Sequence, residues 1–215
     1  MKKKALARFV SAGMCFLLAV APLVRAQDES KDGGDRKPKW DVLNPPFKLN
    51  SVRISTDQTT WSSLDISPDG KWFVFDMLGD LYVSDINGGN ARALTKDFAW
   101  DLHPSISPDG KQIAFVSDRG GLTNLWVMNS DGTGLKQISD EKKDLIHSPK
   151  WSPDGEYIVV TKGIMSQRSI PAGEIWMFHR SGGSGVVIKE RKNGKKDQKN
   201  TADPVFSPDG KYIYY

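Results

Sequence analysis

The sequence predicts an all-β fold, a β-propeller of which it holds three four-stranded blades and the start of a fourth. Three observations predict it. Ser-Pro-Asp-Gly recurs four times, at 67–70, 107–110, 152–155 and 207–210, at intervals of 40, 45 and 55 residues. Each copy is followed by a short apolar run: Trp72–Phe75, Ile113–Val116, Tyr157–Val160 or Tyr212–Tyr215. Beyond the N-terminal leader, no segment shows the 3.6-residue spacing of an amphipathic helix. Self-similarity at about 40–45 residues with several short strands per period is the signature of propeller blades.

The first 26 residues differ in kind from the rest. Lys2, Lys3, Lys4 and Arg8 precede an apolar stretch from Phe9 to Val24, and Val24-Arg25-Ala26 ends it in a small-x-small pattern. A basic start, a short apolar run and such a terminus predict a cleavable export signal, with Gln27 as the mature start and a periplasmic or secreted destination. The run is too short for a stable membrane anchor, which takes about 20 apolar residues. Cys15, the chain's one cysteine, falls inside this leader, so the mature chain is expected to hold no disulfide or thiol chemistry. The leader also carries five of the 30 basic residues and no acid; the remaining 25 stand against 26 acidic residues, a balance of −1. The basic isoelectric point therefore belongs to the leader and makes no case for nucleic acid.

Residues 27–39 are polar, charged and glycine-containing and read as a disordered linker. The segment 40–60 follows, and within it 51–56 reads as a strand, with Val52 and Ile54 on one side; in a complete ring it would close the last blade, and in a fragment it has no such partner. From 61 onward the repeats begin. In each turn, Pro68, Pro108, Pro153 or Pro208 presets φ, Asp69, Asp109, Asp154 or Asp209 bonds local backbone, and Gly70, Gly110, Gly155 or Gly210 accepts positive φ. The strand after the turn is continuously apolar, which predicts burial on both faces. A third strand follows at Leu81-Tyr82-Val83, Leu125-Trp126-Val127 and Ile175-Trp176-Met177. A glycine turn then leads to a short fourth strand near Leu94, Ile138 and Val187. A proline stands three residues before the turn serine in the later units (Pro104, Pro149, Pro204), where the first has Leu64. Because the chain stops at Tyr215 inside an apolar strand, it is expected to be part of a longer protein.

These residues resemble the TolB-like β-propeller repeat, in which Ser-Pro-Asp-Gly-Lys is followed by an aliphatic-Ala-Phe strand, Ser-Asp-Arg and aliphatic-Trp-Val. Unit two follows the pattern most fully, through Ser107 to Phe115, Ser117-Asp118-Arg119 and Leu125-Trp126-Val127. A finer likeness rests on Trp40-Asp41, Pro45-Pro46, Thr60-Trp61, Phe75-Asp76, Leu78-Gly79-Asp80 and Ala172-Gly173-Glu174-Ile175-Trp176. Together these are similar to the N-terminal propeller of large exported amidohydrolases, where a metal-dependent barrel follows. The resemblance implies a non-catalytic scaffold or interaction segment. Its alternatives are a periplasmic protein-binding propeller of the Tol type and the propeller of a prolyl-oligopeptidase-type peptidase.

No chemistry-bearing motif appears in the chain itself. His103, His147 and His179 form no His-x-His pair, as an amidohydrolase metal site requires. There is no Gly-x-Ser-x-Gly elbow and no phosphate loop. No metal and no cofactor is therefore expected in this segment. Asp131-Gly132-Thr133-Gly134 lacks the spaced acids of a calcium cage and reads as a turn. Three places could carry recognition. The first is the connector Phe98–His103, where Trp100, Asp101 and His103 place an aromatic beside an acid and an imidazole. The second is the insertion in unit three, where Gly155 to Trp176 spans 21 residues against 16 in unit two and 12 in unit one; there Arg168 is the candidate polar contact. The third is the basic run 189–200, which reads as a solvated loop. The expected partner is a downstream domain of the same chain or a periplasmic protein.

Overall fold

The computed structural model describes residues 41–56, 58–163, 173–190 and 201–215. The export signal, the linker 27–39, Arg168 and most of the basic run lie outside the described residues.

Among the described residues fourteen strands are formed and no helix. Strands β1 (Leu64–Ile66), β2 (Trp72–Met77), β3 (Asp80–Asp85) and β4 (Arg92–Ala93) make one antiparallel sheet in chain order. Strands β5 (Asp101–Ile106), β6 (Gln112–Ser117), β7 (Asn124–Asn129) and β8 (Lys136–Gln137) repeat it. Strands β9 (Leu145–Trp151), β10 (Tyr157–Gly163), β11 (Gly173–His179) and β12 (Val186–Lys189) make the third sheet. The fourth unit is a two-stranded pair, β13 (Val205–Phe206) and β14 (Ile213–Tyr214).

The four Ser-Pro-Asp-Gly segments join the first two strands of each unit, and the serine closes each turn. In unit two, Ser107 Oγ donates to Asp109 Oδ1 at 2.6 Å while accepting from the Gln112 N–H at 2.9 Å. The fourth unit repeats this through Ser207, Asp209 and Tyr212. All four serines are buried, and the serine hydroxyl, then the backbone N–H two residues on, holds each aspartate below its ordinary range. The glycines take φ of 68–73°. A Cβ on Gly110 would lie 3.7 Å from Pro68 Cδ, and Gly155 and Gly210 stand in the same relation to Pro108 and Pro153. Successive turns thus nest.

Burial on both faces holds where a unit has a neighbour on each side. Along β6, Ile113 and Phe115 enter the core shared with unit one, beside Val74, Leu81 and Met128. Ala114 and Val116 enter the core shared with unit three, beside Ile146, Ile158, Val160 and Phe178. Along β2 of unit one only alternate residues are buried: Val74 is fully covered, while Phe73 and Phe75 are partly buried, with Phe75 stacked on Tyr82 at 5.5 Å. The expected strand at 51–56 forms no ladder, and Val52 and Ile54 are exposed. A strand exists only where another backbone supplies its hydrogen bonds.

Candidate functional site

The loops joining second to third strands, and those joining one unit to the next, gather at the end of the sheets opposite the Ser-Pro-Asp-Gly turns. The first strand of each unit starts there, and in two units it starts with a bulge. In unit two, Leu102 pairs with Val116 and Ser105 with Ala114, so His103 and Pro104 oppose one residue. In unit three, His147 pairs with Thr161 and Lys150 with Val159, so Ser148 and Pro149 oppose one. An extra residue re-aims a side chain and tightens the local twist. His103, Ser148 and Asp203 each directly precede a repeat proline, and all three adopt left-handed φ of 51–53°. Non-glycine residues enter that region at a cost and cluster at functional positions.

The three residues lie together in one cleft of about 370 Å3 that also takes in Ser63 and Lys150. A hydrogen-bond relay crosses the units. The His103 N–H donates to Asp76 Oδ2 of the preceding unit at 2.8 Å. The Asp203 N–H donates to Thr161 Oγ1 of its preceding unit at 3.0 Å. Asp76 and Thr161 occupy equivalent places, six residues after the turn glycine, and Val116 stands there in unit two. Valine has no acceptor, so the Ser148 N–H turns instead to His103 Nδ1 at 3.4 Å. That contact uses Nδ1 as the acceptor. Ser148 Oγ donates to Asp203 Oδ1 at 2.5 Å. Burial first, and then the neighbouring His103, holds the His147 imidazole below its ordinary value, with Asp203 pulling the other way.

The connector Phe98–His103 divides by role. Trp100 is about two-thirds exposed. Its N–H is held by Asp118 Oδ1 at 2.8 Å, and its indole lies against Gly79. Asp101 is fully buried, its N–H donating to the Gly79 carbonyl at 2.8 Å. Arg119, itself nearly buried, reaches Asp101 at 2.5 Å and Asp97 at 2.7 Å, with its guanidinium over the Trp126 ring. Burial pushes the Asp101 carboxyl above its ordinary range. Asp101 therefore anchors the connector, Trp100 is what the connector displays, and His103 faces the cleft. Ser148 and Asp203 were not among the sequence candidates. Their signal was available: each is the residue before a repeat proline, in register with His103. No group of three His, Cys, Asp or Glu residues is arranged to hold a metal among the described residues.

A family model described as the TolB beta propeller domain matches residues 53–215. The chain belongs to the TolB β-propeller family. Among the relatives of this TolB-type propeller is an uncharacterized peptidase of Bacillus subtilis, YuxL, 30% identical over 162 residues, covering 63% of the chain and 24% of the relative. The Tol-Pal system protein TolB of Helicobacter hepaticus is 26% identical over 159 residues, covering 70% of the chain and 35% of the relative. Among solved structures, a candidate TolB from Agrobacterium tumefaciens superposes with a TM-score of 0.61 at 27% identity, covering 74% of the chain and 59% of that structure. The TolB-type propeller thus spans about a quarter and a third of the length of the two curated relatives.

Proposed function

We propose that this TolB-type propeller is a non-catalytic scaffold and interaction segment of an exported protein, with the loop end of its sheets as the recognition surface. One observation carries the reading. Bulged first strands in units two and three present His103 and Ser148, and the lead into β13 presents Asp203, to a common cleft, while the buried Arg119–Asp101 ion pair fixes the connector that leads to it. The Ser148 hydroxyl donates to the Asp203 carboxylate at 2.5 Å, while the His147 Nδ1 contact to the same hydroxyl oxygen is long, at 3.5 Å. The arrangement suits recognition rather than a serine–histidine nucleophile pair.

The family likeness through Trp40-Asp41, Leu78-Gly79-Asp80 and Ala172–Trp176 supports an amidohydrolase-like parent, in which the propeller frames access to a following domain. The relative named as a peptidase favours a second reading, the propeller of an exported peptidase that admits substrates by size. The parent sequence after Tyr215 separates them. His-x-His on a barrel strand supports the first and Gly-x-Ser-x-Gly the second; further repeats and a stop would favour a Tol-type protein.

Docking is the direct test. The remainder of the parent protein, supplied separately, is expected to sediment with the propeller and to dissociate when His103→Ala and Asp203→Lys are combined. Co-sedimentation that these substitutions leave unchanged would remove the cleft from the interface. Hydrolase turnover by the propeller alone would overturn the scaffold role. Material recovered from outside the cytoplasm is expected to begin at Gln27.

A further inference from the structure

Beside the histidine-lined cleft lies a second one of about 590 Å3, within the range of small-molecule sites. Its walls differ in chemistry. Two indoles, Trp61 and Trp100, lead the apolar surface, with Ile54, Met77, Leu78 and Leu102 beside them. The polar part comes from neutral groups, among them Gln58, Thr60 and Ser62. Asp76 is the one ionisable residue in the lining. It is buried, with both carboxylate oxygens taken by the Ser63 and His103 backbone N–H groups. Apart from that buried carboxylate, the lining holds no ionisable side chain.

One of its two indoles is held in place. Trp100 is pinned through its N–H to Asp118 and rests on Gly79, and the residue after it is locked by Arg119. Trp61 is fully exposed on a backbone with φ of 64°, and Leu78 is largely exposed at φ 55°. Exposing such residues and holding two of them in left-handed backbone is unfavourable on both counts, and such strain clusters at binding sites. Two indole faces, one of them held, bordered by uncharged hydroxyl and amide groups match one ligand class closely. The C–H face of a pyranose ring is apolar and stacks on an indole, while its equatorial hydroxyls exchange hydrogen bonds with neutral polar side chains.

We propose that the Trp61–Trp100 cleft binds an uncharged oligosaccharide, stacked on the two indoles and hydrogen-bonded by Gln58 and Thr60. The site is separate from the His103–Ser148–Asp203 cleft and does not depend on its role.

Isothermal titration calorimetry of the chain with cellohexaose, maltohexaose and chitohexaose tests it. At least one is expected to bind, with an affinity unchanged between low and high salt because no charge takes part. Trp61→Ala should weaken that binding about tenfold, the size of one lost aromatic contact. Trp61 is fully exposed, so this variant is expected to melt as the parent does. Trp100→Phe, which keeps a flat ring, should retain more affinity than Trp100→Ala. Failure of all three sugars to bind would overturn the proposal, as would unchanged binding by Trp61→Ala. So would binding of a proline-rich peptide in place of the sugars, since extended proline helices also dock on aromatic grooves.

Discussion

His147 shows how one residue ties the cleft to solution conditions. Its imidazole is held below the ordinary value of 6.5 by burial and by His103. Below that value the unfolded chain takes up a proton that the folded chain resists. The contribution of His147 is therefore fully present above about pH 6.5 and is lost as pH falls through the lowered folded value. Thermal melts from pH 8 to pH 5 should show stability dropping on the acid side, and His147→Gln should flatten that part of the profile. An unaltered acid limb in the variant would assign the effect elsewhere. His147 stood in the sequence as one of three histidines without a partner. Its burial became legible only with the bulge in β9, because that bulge decides which of two adjacent residues, His147 or Ser148, turns into the cleft. Asp101 is similar. Its place beside Trp100 was readable, but Gly79 and Arg119, which bury it, lie outside its own strand.

The hairpins were the most legible elements, since Pro, Asp and Gly each satisfy a local backbone requirement that needs no tertiary context. The serine is different: its buried hydroxyl serves both the aspartate and the next strand, a role visible only once the turn is closed. Two glycines separate backbone strain from crowding. Gly110 has a positive φ of 73°, and a methyl group there would meet only Pro68, so Gly110→Ala should cost about 1–2 kcal/mol through its backbone alone. Gly173, at the start of β11, has no such φ, but a Cβ there would run into the Thr201 carbonyl oxygen and come within 2.5 Å of Thr161 Cγ2. Gly173→Ala should therefore be the more damaging change, forcing the third and fourth units apart. Urea midpoints of the two variants compare them directly, and equal midpoints would contradict the crowding. The segment 51–56 stands without a ladder for a related reason, since its expected partner was the last blade of a complete ring. Alternation in its side chains reports what a strand would bury, and carries nothing about whether a neighbouring backbone is there to pair with it.

At the scale of the molecule, unit two shares one core with unit one and another with unit three, and among the described residues units one and three share none. Phe115 belongs to the first core and Phe178 to the second, and both are fully buried. Each changed to Ala should cost about 3–5 kcal/mol. Because the two share no core, their effects should add to within about 0.5 kcal/mol in the double variant, whereas Val116 and Phe178, which share one, should couple. Equilibrium unfolding of the single and double variants checks both statements, and strong coupling between Phe115 and Phe178 would mean that the two cores behave as one.

The nested turns carry a consequence for how such a protein can lengthen. Each unit brings a proline that the next turn leans against and a glycine that leans on the turn before. A stretch of DNA encoding one unit, copied in tandem, therefore arrives with both halves of the joint already written. The new boundary works at once, with no further change on either side. Growth by copying is the easy route for such a chain, while novelty has to collect where copies are free to differ, in the residue before each proline and in the loops around it.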